Sequence, residues 1–414
     1  MSSFFTRFGT VVKASGFTIS VTGLVLAVGD ICKVDSLVSS VYAEVIGFED
    51  DRAVLMVFDT INTISSKSIV YKVDNFSSYT YSDSYLGSVV DAFGSSDVVV
   101  KDRCVLPDSY EELKVRKSVS QSLDVGVSSI NGFLTLGIGQ RIGVMAGSGV
   151  GKSVLLSMIT KNTSADICVC ALIGERSREV VDFVEKTLSG FAKEKSVVVS
   201  SPADTSPLKK IRATEYAMRI AEKYASQGKN VVLLFDSLTR YAHALREVGL
   251  SAGEPPTMKG YPPSVFLKIP QLVERCGNFK NGSITGVFTV LMDGDDENDP
   301  VVDSARAILD GHVVLSRDLA SSGHFPAIDI GRSVSRCMND IVSVEHLEKA
   351  NYVRGLISSH KKNSDLIAMG AYQAGSDQEL DTAIQKWPAI NHCLRQRPSE
   401  VRDFALTEQM MSVL

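Results

Sequence analysis

The run RIGVMAGSGVGKS at residues 141–153 constrains this chain more than any other stretch. An apolar segment (Ile142, Val144, Met145) leads into a loop carrying Gly147, Gly149 and Gly151, then Lys152 and Ser153, then the helical run VLLSMITKN. Strand, glycine-rich loop and helix in that order make a phosphate-binding loop. The glycines let backbone N–H groups turn inward around phosphate oxygens, and the following helix aims its positive dipole end at the same anion. On this reading Gly147, Ser148, Gly149, Val150, Gly151, Lys152, Ser153 and Val154 contact a nucleotide, with Lys152 reaching the β- and γ-phosphates and the Ser153 hydroxyl ligating Mg2+. Ala146 stands where G-x-x-x-x-G-K-[ST] has its first glycine, a position that tolerates a small side chain.

A chain of 414 residues is too long for one compact core and implies two or three domains. Its formal charge of −5 gives no electrostatic reason to expect a nucleic-acid partner. The seven cysteines are scattered, with no C-x-x-C pair and no histidine at zinc spacing, and the six histidines form no metal pair. A reduced, cytoplasmic compartment fits best. The N-terminus lacks a signal pattern, and no apolar run approaches the ~18 residues that span a bilayer, so membrane association is expected only through partners.

Residues 1–82 are rich in β-branched residues and punctuated by Gly9, Gly16, Gly23, Gly29 and Gly47, which predicts a small β-barrel or sandwich. The Ser-, Tyr- and Asp-rich stretch FSSYTYSDSYLGS marks the boundary. From 83 to 345 apolar strands alternate with helices, the pattern of a largely parallel sheet covered by helices. DICVCALIG, SVVVS, NVVLLFD and SITGVFTVLM read as strands, 208–226 as a long helix, and REVVDFVEKTL as a helix that keeps Val180, Val181, Val184 and Leu188 to one face. Residues 346–414 read as a helical cap.

Two strand ends carry chemistry. NVVLLFD ends in Asp236, placed to hold Mg2+ through a water, or to cap the helix SLTRYAHAL, or both. GERSREV follows another core strand, so that Glu175 projects toward the γ-phosphate, where a carboxylate orients the attacking water. Glu179 is placed to support a metal-bound water, and Arg176 to neutralise phosphate charge. A charged helix N-terminus is the plainer reading of this string.

AGSGVGKSVLL, GERSREV, LLFDSLTRYA, GEPPTMKGYPPSVF, LSRDLASSGHFPAID and SVSRCM, in this order, resemble the type III secretion and flagellar export ATPases, relatives of the rotary ATP synthase catalytic subunit. The resemblance runs over nearly the whole chain. It implies an α/β fold, a RecA-like P-loop core between an N-terminal β-barrel and a C-terminal helical domain, working as a homohexameric ring with ATP and Mg2+ at subunit interfaces. It matches Lys152 and Ser153 to the P-loop pair, Glu175 to the catalytic glutamate, Arg176 to its neighbour, Asp236 to the Walker B acid, and Arg336 to the arginine that enters the next subunit's site. Phe325 matches an aromatic that lies against adenine, and Tyr372 in GAYQAGSD is a further candidate for that pocket.

The partners so implied are export substrates and their chaperones, a negative regulator or stator-like protein, a central stalk protein, and a membrane export gate reached through partners at the inner membrane. GEPPTMKGYPP (253–263) is stiff and polar and, in the family, lies toward the central channel; DGDDENDP (293–300) lacks the calcium-loop spacing. Only MSSFFTR precedes the barrel strands, whereas relatives commonly carry a longer helical docking segment, which leaves the docking mode open. Flagellar export is favoured over virulence secretion on overall similarity. A RecA-like nucleic-acid motor such as a termination helicase is disfavoured by the few Lys and Arg and the lack of an aromatic stacking string in the first 82 residues. A non-catalytic subunit is disfavoured by the presence of Glu175.

Overall fold

A computed structural model of the chain describes residues 8–36, 39–59, 61–73, 79–96, 98, 100, 102–188, 190–292 and 299–414. MSSFFTR, part of the boundary stretch, two positions of DAFGSSDVVV and most of DGDDENDP lie outside the described residues.

Six antiparallel strands, β1 (Gly9–Ser15), β2 (Thr18–Thr22), β3 (Ile31–Asp35), β4 (Ser40–Glu49), β5 (Arg52–Val57) and β6 (Ile69–Lys72), close into a barrel in the order β1-β2-β5-β4-β3-β6. The inward residues are aliphatic and mostly β-branched: Val11, Ile19, Val34, Val45, Leu55 and Val70 are each at most 2% exposed. Register shifts at Val11/Lys13 and Val45/Gly47 bend two strands, as closing so small a barrel requires. The barrel rests on the core through Ile31, Met56 and Phe58, which are buried with Leu208, and through Ser206, whose hydroxyl donates to the Phe58 carbonyl at 2.7 Å.

The core is a ten-stranded mixed sheet. Its main path uses β7 (Val89–Val90), β8 (Arg141–Ala146), β9 (Ile167–Ile173), β10 (Ser196–Ser201), β11 (Asn230–Asp236), β12 (Ser283–Leu291), β13 (Gly311–Leu315) and β14 (Val334–Ser335), in the order β14-β13-β8-β12-β11-β9-β10-β7. All these pairs are parallel except β13–β14. Strands covered on both faces are apolar throughout, which is why ICVCALI is buried at every position and Cys168 and Cys170 serve as small core residues. The covering helices include α1 (Lys152–Asn162), α2 (Ser177–Thr187), α3 (Pro207–Ser226), α4 (Leu238–Ser251), α5 (Pro263–Val273) and α6 (Pro300–Ile308).

One expectation is corrected in α2. Val180, Phe183 and Thr187 are its buried residues, whereas Val181 is 54% exposed. At about 100° per residue Val181 falls a quarter-turn off the stripe that Val180 and Val184 define, so an apolar side chain there faces outward.

Three longer helices, α7 (Val344–Lys362), α8 (Gln378–Leu394) and α9 (Phe404–Ser412), build the C-terminal domain. Ser343, Asp377 and Asp403 cap them with their side chains. Among the described residues no helix is long and apolar enough to cross a membrane.

Candidate active site

The C-terminal ends of β8, β9 and β11 lie side by side with β12, so the loops that leave them converge on one edge, where open α/β sheets bind ligands. From β8 the chain enters the P-loop. Gly149 (φ +79°) and Gly151 (φ +93°) adopt left-handed backbone that few other residues hold without strain, and Gly151 is the N-terminal cap of α1. Phe325 lies over this turn: a Cβ added at Gly151 would sit 3.4 Å from its ring. The ring itself is 42% exposed.

Lys152 leaves α1 toward two carboxylates. Its Nζ donates to Asp236 Oδ1 at 2.5 Å and to Glu175 Oε1 at 3.1 Å, and all three side chains are at most 13% exposed. Burial alone would lower the lysine's pKa, but the Asp236 and Glu175 charges outweigh it and hold the ammonium above its usual range. For Asp236 burial dominates, reinforced by the like charge of Glu175, so its carboxyl is pushed up despite Lys152.

Sequence reasoning missed Thr289. Its hydroxyl, on β12, donates to Asp236 Oδ1 at 2.6 Å, the same oxygen that accepts Lys152. The only available signal was weak: Thr289 is one of three hydroxyl residues, with Ser283 and Thr285, on a mostly apolar strand. Capping of α4 falls to Ser237, which accepts the Arg240 N–H, so that expectation for Asp236 is corrected. Arg240 was also missed. It lies against Gly174 (φ +73°), where an added Cβ would come within 2.7 Å of the Arg240 Cβ; glycine there lets α4 approach the loop that presents Glu175.

Ser153 and Glu179 line one cavity of about 520 Å3 between α1 and α2, together with Val154, Ser157, Phe183 and Pro398. Arg176 is exposed and pairs with Glu179 at 3.2 Å, a surface contact of little energetic weight. Tyr372 lies in the turn before α8, its hydroxyl 2.8 Å from Asp381 Oδ1 and 3.0 Å from the Asp377 carbonyl. Arg336 is exposed and follows β14, with its backbone N–H on the Asp310 carbonyl, just before β13 begins. β13 runs parallel to β8, so Arg336 is displaced from its own P-loop by about five strand residues, roughly 16 Å.

A P-loop lysine, a strand-end acid and a second carboxylate one strand away, on a parallel sheet flanked by a barrel and a helical domain, define a nucleotide-hydrolysing P-loop ATPase. Comparison with known proteins narrows this. The ATP synthase alpha/beta family nucleotide-binding domain matches residues 126–335, and the T3SS EscN ATPase C-terminal domain matches residues 342–412. The flagellum-specific ATP synthase of Pseudomonas aeruginosa is 45% identical, covering 98% of this chain and 92% of its own. That of Salmonella typhimurium is 43% identical, covering 99% and 93%. The assembled ATPase EscN from the enteropathogenic E. coli type III secretion system superposes with a TM-score of 0.90 at 39% identity, over 98% of this chain and 99% of EscN. The chain belongs to the ATP synthase alpha/beta family, in its branch of flagellar and type III secretion export ATPases.

Proposed function

We infer that this export ATPase hydrolyses MgATP in a homohexameric ring whose sites are shared between neighbouring subunits. The observation that carries the reading is the bridge from Lys152 to Asp236 and Glu175. A triphosphate entering the P-loop offers the ammonium a stronger anionic partner. Lys152 then turns to the β- and γ-phosphates and releases Glu175 to orient the attacking water. Arg176 adds positive charge at the rim of the site. The donors around Ser153, Asp236 and Glu179 are all oxygens, the set a hard cation takes. The described residues hold no cluster of three His, Cys, Asp or Glu that would cage an ion, so Mg2+ would be held jointly by phosphate oxygens, water, Ser153 and Asp236, with Glu179 behind a water. When bound, it neutralises charge on the phosphate oxygens. The nucleoside lies between Phe325 and the Val154–Pro398 cavity, with Tyr372 on the helical-domain side.

Arg336 supports the shared site. It stands at the wrong end of β13 for its own P-loop, so it serves a neighbour's γ-phosphate, stabilising charge in transfer. EscN is described as an assembled ATPase and in complex with its central stalk EscO, and we extend ring assembly and a stalk partner to this chain. The division 1–82, 83–345 and 346–414 then assigns barrel, motor and helical cap. The loop 253–263, exposed from Pro255 to Lys259 and anchored by buried Tyr261, lies toward the ring's channel. Substrates with their chaperones, a stator-like negative regulator and the inner-membrane export gate complete the partner set at the cytoplasmic face. Nucleic acid is not among them.

ATP turnover tests the reading. Activity should rise more than linearly with protein concentration, and Glu175→Gln should lower kcat by a factor of 100 or more, on the order of what one positioned catalytic group contributes. Equal turnover by Glu175→Gln and wild type, or full activity in a preparation shown to be monomeric, overturns it.

A further inference from the structure

The segment from Phe325 to Arg336 joins the two functional ends of the subunit. Phe325 begins it over the P-loop and Arg336 ends it at the far end of β13. One side of the segment is fixed to the sheet. The Asp329 N–H donates to the Val314 carbonyl at 2.9 Å, and Ser333 Oγ accepts the Val314 N–H at 2.9 Å while donating to the Asp329 carbonyl at 2.6 Å.

The other side is held by α7 of the helical domain through two cations. Lys361 Nζ donates to Asp329 Oδ2 at 2.8 Å. Arg354 donates to the carbonyls of Ile330 at 3.3 Å and Ser333 at 3.4 Å, and also reaches the Phe133 carbonyl. Asp329 is only 7% exposed, and its Oδ1 already takes the N–H groups of Gly331 and Arg332. Lys361 is therefore the charged partner that makes a buried carboxylate tolerable, and charge-assisted contacts of this kind are directional as well as strong. Generic helix packing needs neither cation. Here both converge on the one segment that carries Phe325 and Arg336.

We propose that Lys361 and Arg354 are positioning residues that tie nucleotide occupancy at Phe325 to the placement of α7, a proposal that rests on Phe325 lying against bound nucleotide. Nucleotide packed on Phe325 restrains the segment, and the segment restrains α7. Thermodynamic reciprocity then makes any protein that shifts α7 change nucleotide affinity by the same factor.

The chain supplies its own reporter. Trp387, the single tryptophan, stacks on His360 at 3.7 Å and 4°, one residue from Lys361. The full chain is titrated with MgADP at pH 8 while Trp387 emission is followed. Occupancy is measured separately by the anisotropy of a methylanthraniloyl-ADP. Wild type should give an emission change that saturates with occupancy. Lys361→Met should bind about fivefold more weakly, the low end of typical coupling, and should lose most of the emission change at saturation. Lys361→Arg should restore both, which a generalised loss of folding would not allow.

An emission change of wild-type amplitude in saturated Lys361→Met overturns the proposal. So does an unchanged emission in saturated wild type. Lys152→Ala separates the two layers: if it binds the labelled ADP as tightly as wild type, the nucleotide site itself has been misassigned, and the proposal falls with it.

Discussion

Lys152 and Asp236 form the most buried ion pair of the site, 2.5 Å from nitrogen to oxygen, with Thr289 donating to the same Asp236 oxygen. The pair is asymmetric. Lys152 has a raised pKa, so its contribution to stability is present below the unfolded value of 10.5 and is lost as pH rises through the folded one. Asp236 also has a raised pKa, because burial outweighs Lys152. Its ionised form therefore carries a cost above pH 3.8 that persists at neutral pH. Asp236→Asn, which keeps an acceptor for Thr289, should raise Tm by about 2 °C, the scale of a fraction of a kcal/mol to 1 kcal/mol in a chain of this size, while abolishing hydrolysis. Lys152→Met leaves two buried carboxylates facing each other and should destabilise by about 3 kcal/mol. Calorimetry of the two variants checks both signs; a lower Tm for Asp236→Asn contradicts the account.

Thr289 offers a finer test. Once Lys152 has turned to the phosphates, the Thr289 hydroxyl is the neutral donor that still orients Asp236. Thr289→Val removes one hydrogen bond worth about 1–2 kcal/mol at nearly constant volume. The Mg2+ concentration for half-maximal hydrolysis should rise about tenfold, the equivalent of 1.4 kcal/mol, and Thr289→Ser should recover it. Nucleotide affinity measured in EDTA should not change. A shift of equal size in EDTA would mean that Thr289 supports the fold and not the acid.

Acid sensitivity should originate elsewhere. Burial pushes the Glu215 carboxyl up, but Arg275 and Arg219, at 2.5 Å and 2.7 Å, outweigh it and hold the pKa below its usual value. A depressed carboxylate stabilises the fold above its unfolded pKa of 4.5, and that contribution disappears as pH falls through the folded value. Glu215→Gln should therefore melt below wild type at pH 7, and the gap should narrow as pH falls below 4.5 and close once the folded carboxyl is itself protonated. A gap that does not narrow at all as pH falls from 7 to the acid limit of reversible melting would rule this carboxylate out.

How far the chain could be read from its letters depended on whether a feature was local. RIGVMAGSGVGKS and NVVLLFD announce a loop and a strand end because glycine spacing and apolar runs are properties of consecutive residues, and Lys152, Glu175 and Asp236 do meet. Thr289 could not be read that way: its role exists only because β11 and β12 are neighbours in the sheet, its partner Asp236 lying 53 positions away in the chain. Gly174 and Arg240 are the same kind of case, a missing side chain on one element making room for another. Val181 failed for a different reason. A helix of mixed valines offers several nearly equivalent apolar stripes, and only the packing partner decides among them.

Glu175 and Arg336 sit in one polypeptide, but Glu175 lies beside its own P-loop lysine while the register of β13 leaves Arg336 at the other end of the sheet; on the proposed reading the two serve different sites, Arg336 the one across a subunit boundary. Arg336→Ala and Glu175→Gln should each be nearly inactive alone, because every interface in either ring lacks one group. Mixed before assembly in equal amounts, the two should regain activity. Wherever the Arg336→Ala subunit supplies the P-loop and the Glu175→Gln subunit supplies the arginine, both groups are intact, and random assembly of a head-to-tail ring makes about a quarter of the interfaces of that kind. The double variant mixed with wild type controls for simple dilution. A mixture no more active than its components would return Arg336 to its own subunit and require a rearrangement of β13 and β14 that brings it to the P-loop end of the sheet.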